Sequence, residues 1–248
     1  MAGHSRWAGI KHKKAVVDAR RGKLFAKLIR GVEVAAREGG TSNPENNMTL
    51  QAAWDRAKQY RVPTDTIERA AKRAAGELGE NVNYERVLYE GYGPGGVAIL
   101  AEALTENRNR TSADLRAAFT RAGGNLGEPG SVAWMFERRG SIIVGPASEE
   151  DVLAAAAEAG ADDVRESGDG WEVVCEVKDF TRVRDAIAAA GLEVDNAELT
   201  MIPTSTTPLD ADAARKVLKL LDVLEEHDDV QEVYANFDIP DEVLAEVG

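Results

Sequence analysis

The fold is decided by SIIVGPASEEDVLAAAAEAGADDVRESGDGWEVVCEVKDFTRVRDAIAAAGLEVDNAELTMI, which spans residues 141–202. Its apolar residues alternate in some segments and recur every three to four residues in others, which distinguishes strands from helices. The predicted elements are, in order, strand Ser141–Val144, helix Ser148–Ala159, strands Asp163–Glu166 and Trp171–Val177, helix Asp179–Ala190 and strand Glu193–Ile202. This βαββαβ order predicts a ferredoxin-like domain.

The sequence on either side of this stretch predicts a second α/β domain. Strands at 86–92 and 97–104 flank a Gly-Pro-Gly-Gly turn, which predicts a hairpin, and a helix at 111–122 and a strand at 131–137 follow. After Pro208 come another helix and a last strand at 230–235. We expect these late elements to join the hairpin. The middle α/β domain then comprises residues 79–138 plus 204–248 and is interrupted by an inserted ferredoxin-like domain at 139–203.

Residues 1–78 are predicted to form a small helical domain. A first helix spans Val16–Arg37, a second starts with Asn43 as its cap and Pro44 in its first turn, and a third follows Pro63, capped by Thr64 or Asp65. The predicted fold class is therefore α+β (mixed α/β), with an N-terminal helical domain and two α/β domains, one inserted in the other.

The charge is distributed very unevenly along the chain. A net charge of -13 alone argues against nucleic acid as a partner. However, residues 1–39 hold ten basic and three acidic residues, a balance of +7, which leaves -20 for the rest. A solvated helix face would also be basic, but so one-sided an excess favours a nucleic-acid-binding end on an acidic protein.

The candidate nucleic-acid contacts lie in an N-terminal arm and on the first helix. Helical spacing separates a stripe of cations from the apolar stripe of this helix. In the arm, His4 and His12 lie among basic residues and Trp7, which favours stacking or hydrogen bonding to nucleic acid over general base chemistry. The predicted contact residues are His4, Arg6, Trp7, Lys11, His12, Lys13, Lys14, Arg20, Arg21, Lys23, Lys27 and Arg30.

Two further motifs allow more than one interpretation. Asn107, Arg108, Asn109 and Arg110 place two amides and two guanidiniums on a predicted connection, which suits either a secondary binding site or a polar loop with capping amides. Trp134 and Phe136 are two apart in the predicted strand and would share a face. We expect core packing there rather than base stacking.

The sequence argues against several other classes of function. Gly91–Gly96 matches the G-x-G-x-x-G spacing of dinucleotide sites, but it opens into a strand rather than a helix, so we expect a hairpin turn. One cysteine, the core residue Cys175, and three scattered histidines suit neither a disulfide nor a structural metal site. We therefore expect no cofactor, metal, catalytic residues or small-molecule substrate.

The sequence predicts neither a membrane span nor a secretory signal. No apolar run approaches the length of a membrane span, and the basic N-terminus is not followed by the apolar segment of a secretory signal. We expect a cytoplasmic protein with no membrane partner.

Several motifs resemble those of the YebC/PmpR family. The resemblance covers the whole chain and implies three domains, one helical and two α/β. The motifs are MAGHSRW at 1–7, IKHKK at 10–14, DARRGKLFAKLI at 18–29, YEGYGPGGVA at 89–98, NRNRT at 107–111, NLGEPGSVAWMF at 125–136 and DVQEVYANFD at 229–238.

The resemblance implies a role in gene expression with two possible targets. Many family members are described as transcriptional regulators that bind DNA. Similar proteins, including a mitochondrial translational activator of cytochrome oxidase, act on the ribosome and relieve stalled peptide synthesis. The sequence shows no recognition-helix signature and begins with an irregular arm, which suits structured RNA. We therefore expect ribosomal RNA as the partner, with DNA as the alternative.

Overall fold

The computed structural model describes residues 21–78 and 84–239. Its first helices are α1 (Arg21–Gly39), α2 (Met48–Gln59) and α3 (Thr64–Ala74). They pack around one apolar cluster because each presents an apolar stripe to the other two. This cluster includes Leu28, Val32, Leu50, Trp54 and Ile67.

The starts of the second and third helices differ from the predictions. Asn43 caps only a short 3-10 turn, Pro44–Asn46, whereas α2 is capped by Asn47, whose side chain accepts the N–H groups of Thr49 and Leu50. The extended backbone of Asn47 separates the two turns. Helix α3 follows Pro63 as predicted, but no side chain caps its start, so the predicted cap at Thr64 or Asp65 is wrong.

The middle sheet is built on an antiparallel hairpin. Strands β1 (Glu85–Tyr92) and β2 (Ala98–Thr105) pair along their full length. In the connection, Gly95 and Gly96 have φ angles of 73° and 80°, a left-handed conformation that favours glycine. The glycine motif is therefore a hairpin turn, as predicted.

The end of the chain packs against this hairpin. Strand β3 (Asn125–Leu126) extends the sheet beside β1, and β9 (Val230–Ala235) pairs with β2, giving the order β3-β1-β2-β9. Helices α4 (Arg108–Ala122) and α7 (Ala211–Glu226) share one apolar core with the sheet. Its largest fully buried side chains include Ile99, Leu115, Phe119, Leu220, Leu221 and Phe237. The short strands β8 (Thr207–Pro208) and β10 (Phe237–Asp238) pair in parallel beside it.

The predicted strand at 131–137 is wrong for the residues before Phe136. Residues Ala133–Met135 form a 3-10 turn, and β4 begins only at Phe136 and continues to Val144. The reason is a side chain distant in sequence: Glu90 accepts the N–H groups of Val132 and Ala133, which removes them from any strand ladder. Strand β4 therefore crosses the predicted domain boundary between 138 and 139.

The remaining elements have the predicted βαββαβ order. They are β4, α5 (Glu149–Ala157), β5 (Ala161–Ser167), β6 (Gly170–Cys175), α6 (Phe180–Ala189) and β7 (Val194–Pro203). The sheet order β5-β6-β4-β7 is antiparallel throughout, which is the ferredoxin-like arrangement. Cys175 is fully buried in its core, as expected. The protein is a mixed α/β protein with a helical N-terminal domain, and none of its described helices is long and apolar enough to span a membrane.

Candidate nucleic-acid interface

The structure describes three of the predicted contact side chains, all on α1. These are Lys23, Lys27 and Arg30. The predicted residues His4, Arg6, Trp7, Lys11, His12, Lys13, Lys14 and Arg20 lie outside the described residues, and so does the side chain of Arg21.

Lys23 and Lys27 contact the C-terminal end of α7. The Nζ atom of Lys23 lies 3.5 Å from the carbonyl oxygen of Glu226 and 3.8 Å from a carboxylate oxygen of Asp228. Lys27 donates to the carbonyl oxygen of Glu225. The last carbonyls of a helix lack partners within the helix and carry partial negative charge, so cations are favourable there. Part of the cationic stripe therefore stabilises the contact between the helical and middle domains.

Arg30 is largely buried, with a side chain only 17% exposed. Its Nη1 donates to the carbonyl oxygen of Asp228 at 2.6 Å and lies 3.3 Å from Oδ1 of Asp229. Its guanidinium also lies over the ring of Tyr84, 4.7 Å from the centroid, a cation–π contact. Arg30 therefore holds α1 to the middle domain, a role that helical spacing alone does not predict.

Asp229 is the centre of this contact. Its side chain is 5% exposed and accepts hydrogen bonds from Arg110 Nη2 and Thr111 Oγ1, both at 2.7 Å. Burial alone would raise its pKa, but the hydrogen bonds from Arg110 and Thr111 and the charges of Arg110 and Arg30 outweigh it, so the pKa lies below its ordinary value. One ionised carboxylate thus connects α1 to the first turn of α4.

The segment Asn107–Arg110 is not the loop that we predicted. Asn107 caps α4, its Oδ1 accepting the N–H of Arg110 at 3.1 Å, and Arg108, Asn109 and Arg110 form the first helical turn. Arg110 binds Asp229 but its side chain is still 56% exposed, so all four residues lie at the surface.

A basic surface that the sequence analysis missed lies on the exposed side of α4. A shallow groove of about 570 Å³ runs along this helix. We call it the α4 groove; it is lined by Asn109, Ser112, Ala113, Arg116, Ala117, Thr120 and Arg121. None of these residues is acidic, although the chain carries 43 acidic residues. Polar residues recur at 109, 112, 116 and 120, on one side of the helix, and this spacing could have predicted the groove from the sequence.

The guanidiniums of the α4 groove are available to an anion. Within residues 21–78 and 84–239, Arg116 makes no ion pair, and Arg121 donates from Nε to the carbonyl oxygen of Ala117, one turn earlier in the same helix. The hydroxyl of Thr120 likewise donates to the backbone, at Arg116. The groove therefore offers two positive charges beside small side chains, a surface suited to phosphate groups.

Trp134 and Phe136 do not share a face. Phe136 is buried with Ala98, Leu100 and Val132, so core packing is confirmed for it. Trp134 is 71% exposed, so the same prediction is wrong for Trp134. The 3-10 turn explains the difference, because strand alternation does not apply before Phe136.

His227 has a structural environment. Its Nε2 lies 3.4 Å from a carboxylate oxygen of Asp114, and its Nδ1 accepts the N–H of Asp229 at 3.2 Å. Among the residues that the structure describes, no three His, Cys, Asp or Glu side chains are grouped so that they could hold a metal ion.

Comparison with known proteins identifies the family. Residues 5–77 match the TACO1/YebC protein N-terminal domain, and residues 84–237 match the TACO1/YebC second and third domain. Proteins named "Probable transcriptional regulatory protein" from Thermobifida fusca and Acidothermus cellulolyticus are 53% and 55% identical over 249 residues, covering 100% of each chain.

A solved structure shows the same fold. The crystal structure of a conserved hypothetical protein from Aquifex aeolicus is similar with a TM-score of 0.80 and 46% sequence identity, covering 92% of this chain and 94% of that one. Both family models and the full-length relatives confirm the family resemblance seen in the sequence. The chain belongs to the YebC family.

Proposed function

We propose that this chain is a non-enzymatic, cytoplasmic regulator of gene expression that binds nucleic acid through its basic N-terminal segment. The observation that carries the proposal is the balance of +7 in residues 1–39 of a chain whose net charge is -13. Neutralising phosphate with lysine and arginine supplies most of the affinity of proteins for nucleic acid. The regulatory names of the relatives support the same class of function.

The contacts of α1 bear on which nucleic acid is bound. A DNA-reading helix must place its side chains against base edges in the major groove. Lys27 and Arg30 instead contact the end of α7 and Asp229. A structured RNA, whose phosphates can be met by an arm rather than by a recognition helix, suits this arrangement better. We therefore favour ribosomal RNA, which would make the protein a translation factor that relieves stalling.

A DNA-binding transcriptional regulator is the second candidate. It is favoured by the names of the relatives, "Probable transcriptional regulatory protein". Such a protein should bind a promoter fragment orders of magnitude more tightly than a random duplex at the same salt concentration. Equal affinity for the two duplexes would contradict it.

Equilibrium binding to labelled nucleic acids tests the proposal. The probes are a structured ribosomal RNA fragment, a random RNA of equal length and a DNA duplex, all at one salt concentration. Reversal of Lys11, Lys13 and Lys14 to Glu should weaken binding at least tenfold and reduce the salt dependence. Arg30 is not chosen for this test because its reversal would also break the contact with Asp229.

The control reverses charges of the same kind on another surface. Lys216 and Lys219 are exposed on α7, and their change to Glu should alter binding of the ribosomal RNA fragment much less than the change in the arm. Equal losses in the two variants would contradict a contact made by the N-terminal segment. Absence of binding by the unmodified protein to every probe would contradict the proposed function itself.

A further inference from the structure

Two exposed aromatic side chains meet at one backbone oxygen. The indole Nε1 of Trp134 donates to the carbonyl oxygen of Ser131 at 3.2 Å, and the hydroxyl of Tyr92 donates to the same oxygen at 3.0 Å. Trp134 is 71% exposed and Tyr92 is 37% exposed. We call Trp134 and Tyr92 the aromatic pair. Their polar groups are tied to the protein, while much of their apolar surface stays accessible.

The loop that carries Trp134 is fixed by a buried carboxylate. Glu90 is 5% exposed and accepts the N–H groups of Gly130 at 2.6 Å and of Val132 and Ala133 at 2.7 Å. Burial alone would raise the pKa of Glu90, but these three hydrogen bonds lower it. A buried carboxylate is tolerated because charge-assisted hydrogen bonds replace its hydration. These hydrogen bonds therefore fix the backbone below Trp134.

This arrangement suits binding. A tryptophan left in water forgoes the stabilisation that burial of its large apolar surface would give. Side chains that are already held in place lose less conformational entropy when a partner arrives. The Glu90 hydrogen bonds hold Trp134 outward rather than letting it fold into the cluster around Phe136. The aromatic pair therefore has the properties of a preformed contact surface.

Strand pairing places Tyr92 of the aromatic pair at the β3 edge of the sheet. Tyr92 lies opposite Asn125 in the pairing of β1 with β3, just beyond the end of α4 at Ala122. Its neighbour Gly91 faces Phe119 of α4, so Tyr92 points to the other face of the sheet. The α4 groove, which ends at Arg121, and the aromatic pair thus lie on two sides of the same sheet edge.

We propose that Trp134 and Tyr92 form a stacking platform for an unpaired nucleobase of the nucleic acid that this protein binds. This inference rests on the proposed function. In this proposal, a single strand bound along the α4 groove passes the β3 edge of the sheet to reach the aromatic pair on its other side. Bases of any identity stack on aromatic rings, and this contact is open only where the base is not already paired within a duplex.

Binding of single-stranded and duplex RNA of the same sequence tests the platform. Trp134→Ala should weaken binding of a 12-nucleotide single strand about fivefold or more, and Trp134→Phe should retain most of the affinity. Binding of the duplex should change less than twofold. Abasic substitutions along the single strand should identify a position at which Trp134→Ala has no further effect.

Two controls separate stacking from other causes. Leu153 is an exposed apolar residue on α5, and Leu153→Ala should bind both RNAs as the unmodified protein does. An unchanged thermal midpoint for Trp134→Ala would show that the variant is folded, as its exposure predicts.

Each remaining outcome has a definite meaning. If the unmodified protein binds the single strand and Trp134→Ala binds it equally well, the platform is wrong while the proposed function stands. Equal weakening of single-strand and duplex binding by Trp134→Ala also contradicts the platform. If the unmodified protein binds neither RNA nor DNA, the proposed function fails, and the platform fails with it.

Discussion

Arg30 of α1 and Asp229, which precedes β9, form an ion pair with a separation of 3.3 Å between Nη1 and Oδ1. The same carboxylate binds Arg110 at the start of α4 at 2.7 Å. A single buried acid therefore orients both the helix that follows the basic arm and the helix that carries the α4 groove. The relative placement of the two candidate phosphate-binding surfaces depends on it.

Removal of Asp229 should loosen this contact. Asp229→Ala leaves Arg30 and Arg110 without their carboxylate, and disruption of a buried ion pair costs about 3 kcal/mol of unfolding free energy. Urea denaturation should show a lower midpoint for this variant. Asp212, on the surface of α7, is the control, because its ion pair with Arg215 is exposed and its loss should have little effect. Equal midpoints for the two variants would contradict the structural role of Asp229.

Stability should fall in acid because two buried carboxylates have lowered pKa values. The ordinary pKa values of Asp229 and Glu90 are 3.8 and 4.5, and both are lower in the folded protein. Their stabilisation is complete above these ordinary values and is lost as the pH falls through the lower values of the folded state. The thermal midpoint should therefore decrease below about pH 4. Glu90→Gln should reduce this dependence, and an unchanged slope between pH 5 and pH 3 would contradict the assignment.

Substitution by alanine should destabilise the protein at Gly91 and stabilise it at Gly31. A methyl group at Gly91 would lie 2.7 Å from the carbonyl oxygen of Asn125 and 2.7 Å from the ring of Phe119, so Gly91→Ala should destabilise by about 1–3 kcal/mol. Gly31 lies inside α1 with no neighbouring atom within 4 Å of the added methyl, so Gly31→Ala should stabilise by about 0.5–1 kcal/mol. Urea midpoints measure both changes. A stabilised Gly91→Ala variant would be inconsistent with the close approach of β3 and α4 to Gly91.

The single cysteine should be unreactive in the folded protein. Cys175 is fully buried, and burial, followed by the charges of Asp162 and Asp179, raises its pKa to about 11. Because the thiolate is the reactive form, a thiol reagent at pH 8 should label the native protein very slowly and the unfolded protein quickly. Rapid stoichiometric labelling of the native protein would contradict the burial of Cys175.

Local periodicity was sufficient to predict most elements of this fold. The strands and helices of residues 141–202 repeat every two or every 3.6 residues, and neighbouring turns bound them, so their order could be read without knowledge of distant contacts. The same holds for β9, whose predicted bounds Val230–Ala235 match the structure.

The roles of Arg30 and Trp134 could not be predicted from the neighbouring residues in the sequence. Helical spacing placed Arg30 off the apolar stripe, but its partner Asp229 is far along the chain, so spacing cannot distinguish a solvent-facing cation from an interdomain one. Trp134 fitted strand alternation, yet the carboxylate of Glu90 binds the backbone of Val132 and Ala133 and prevents a strand. In both cases one long-range polar contact overrides the local pattern.

Crosslinking in living cells, followed by sequencing of the nucleic acid bound to the protein, tests the central claim most directly. The proposed function predicts that ribosomal RNA fragments predominate and that reversal of Lys11, Lys13 and Lys14 to Glu removes most of them, whereas reversal of Lys216 and Lys219 does not. Recovery of promoter DNA would establish the transcriptional alternative. Recovery of no nucleic acid above background, or equal recovery with both variants, would contradict binding through the basic N-terminal segment.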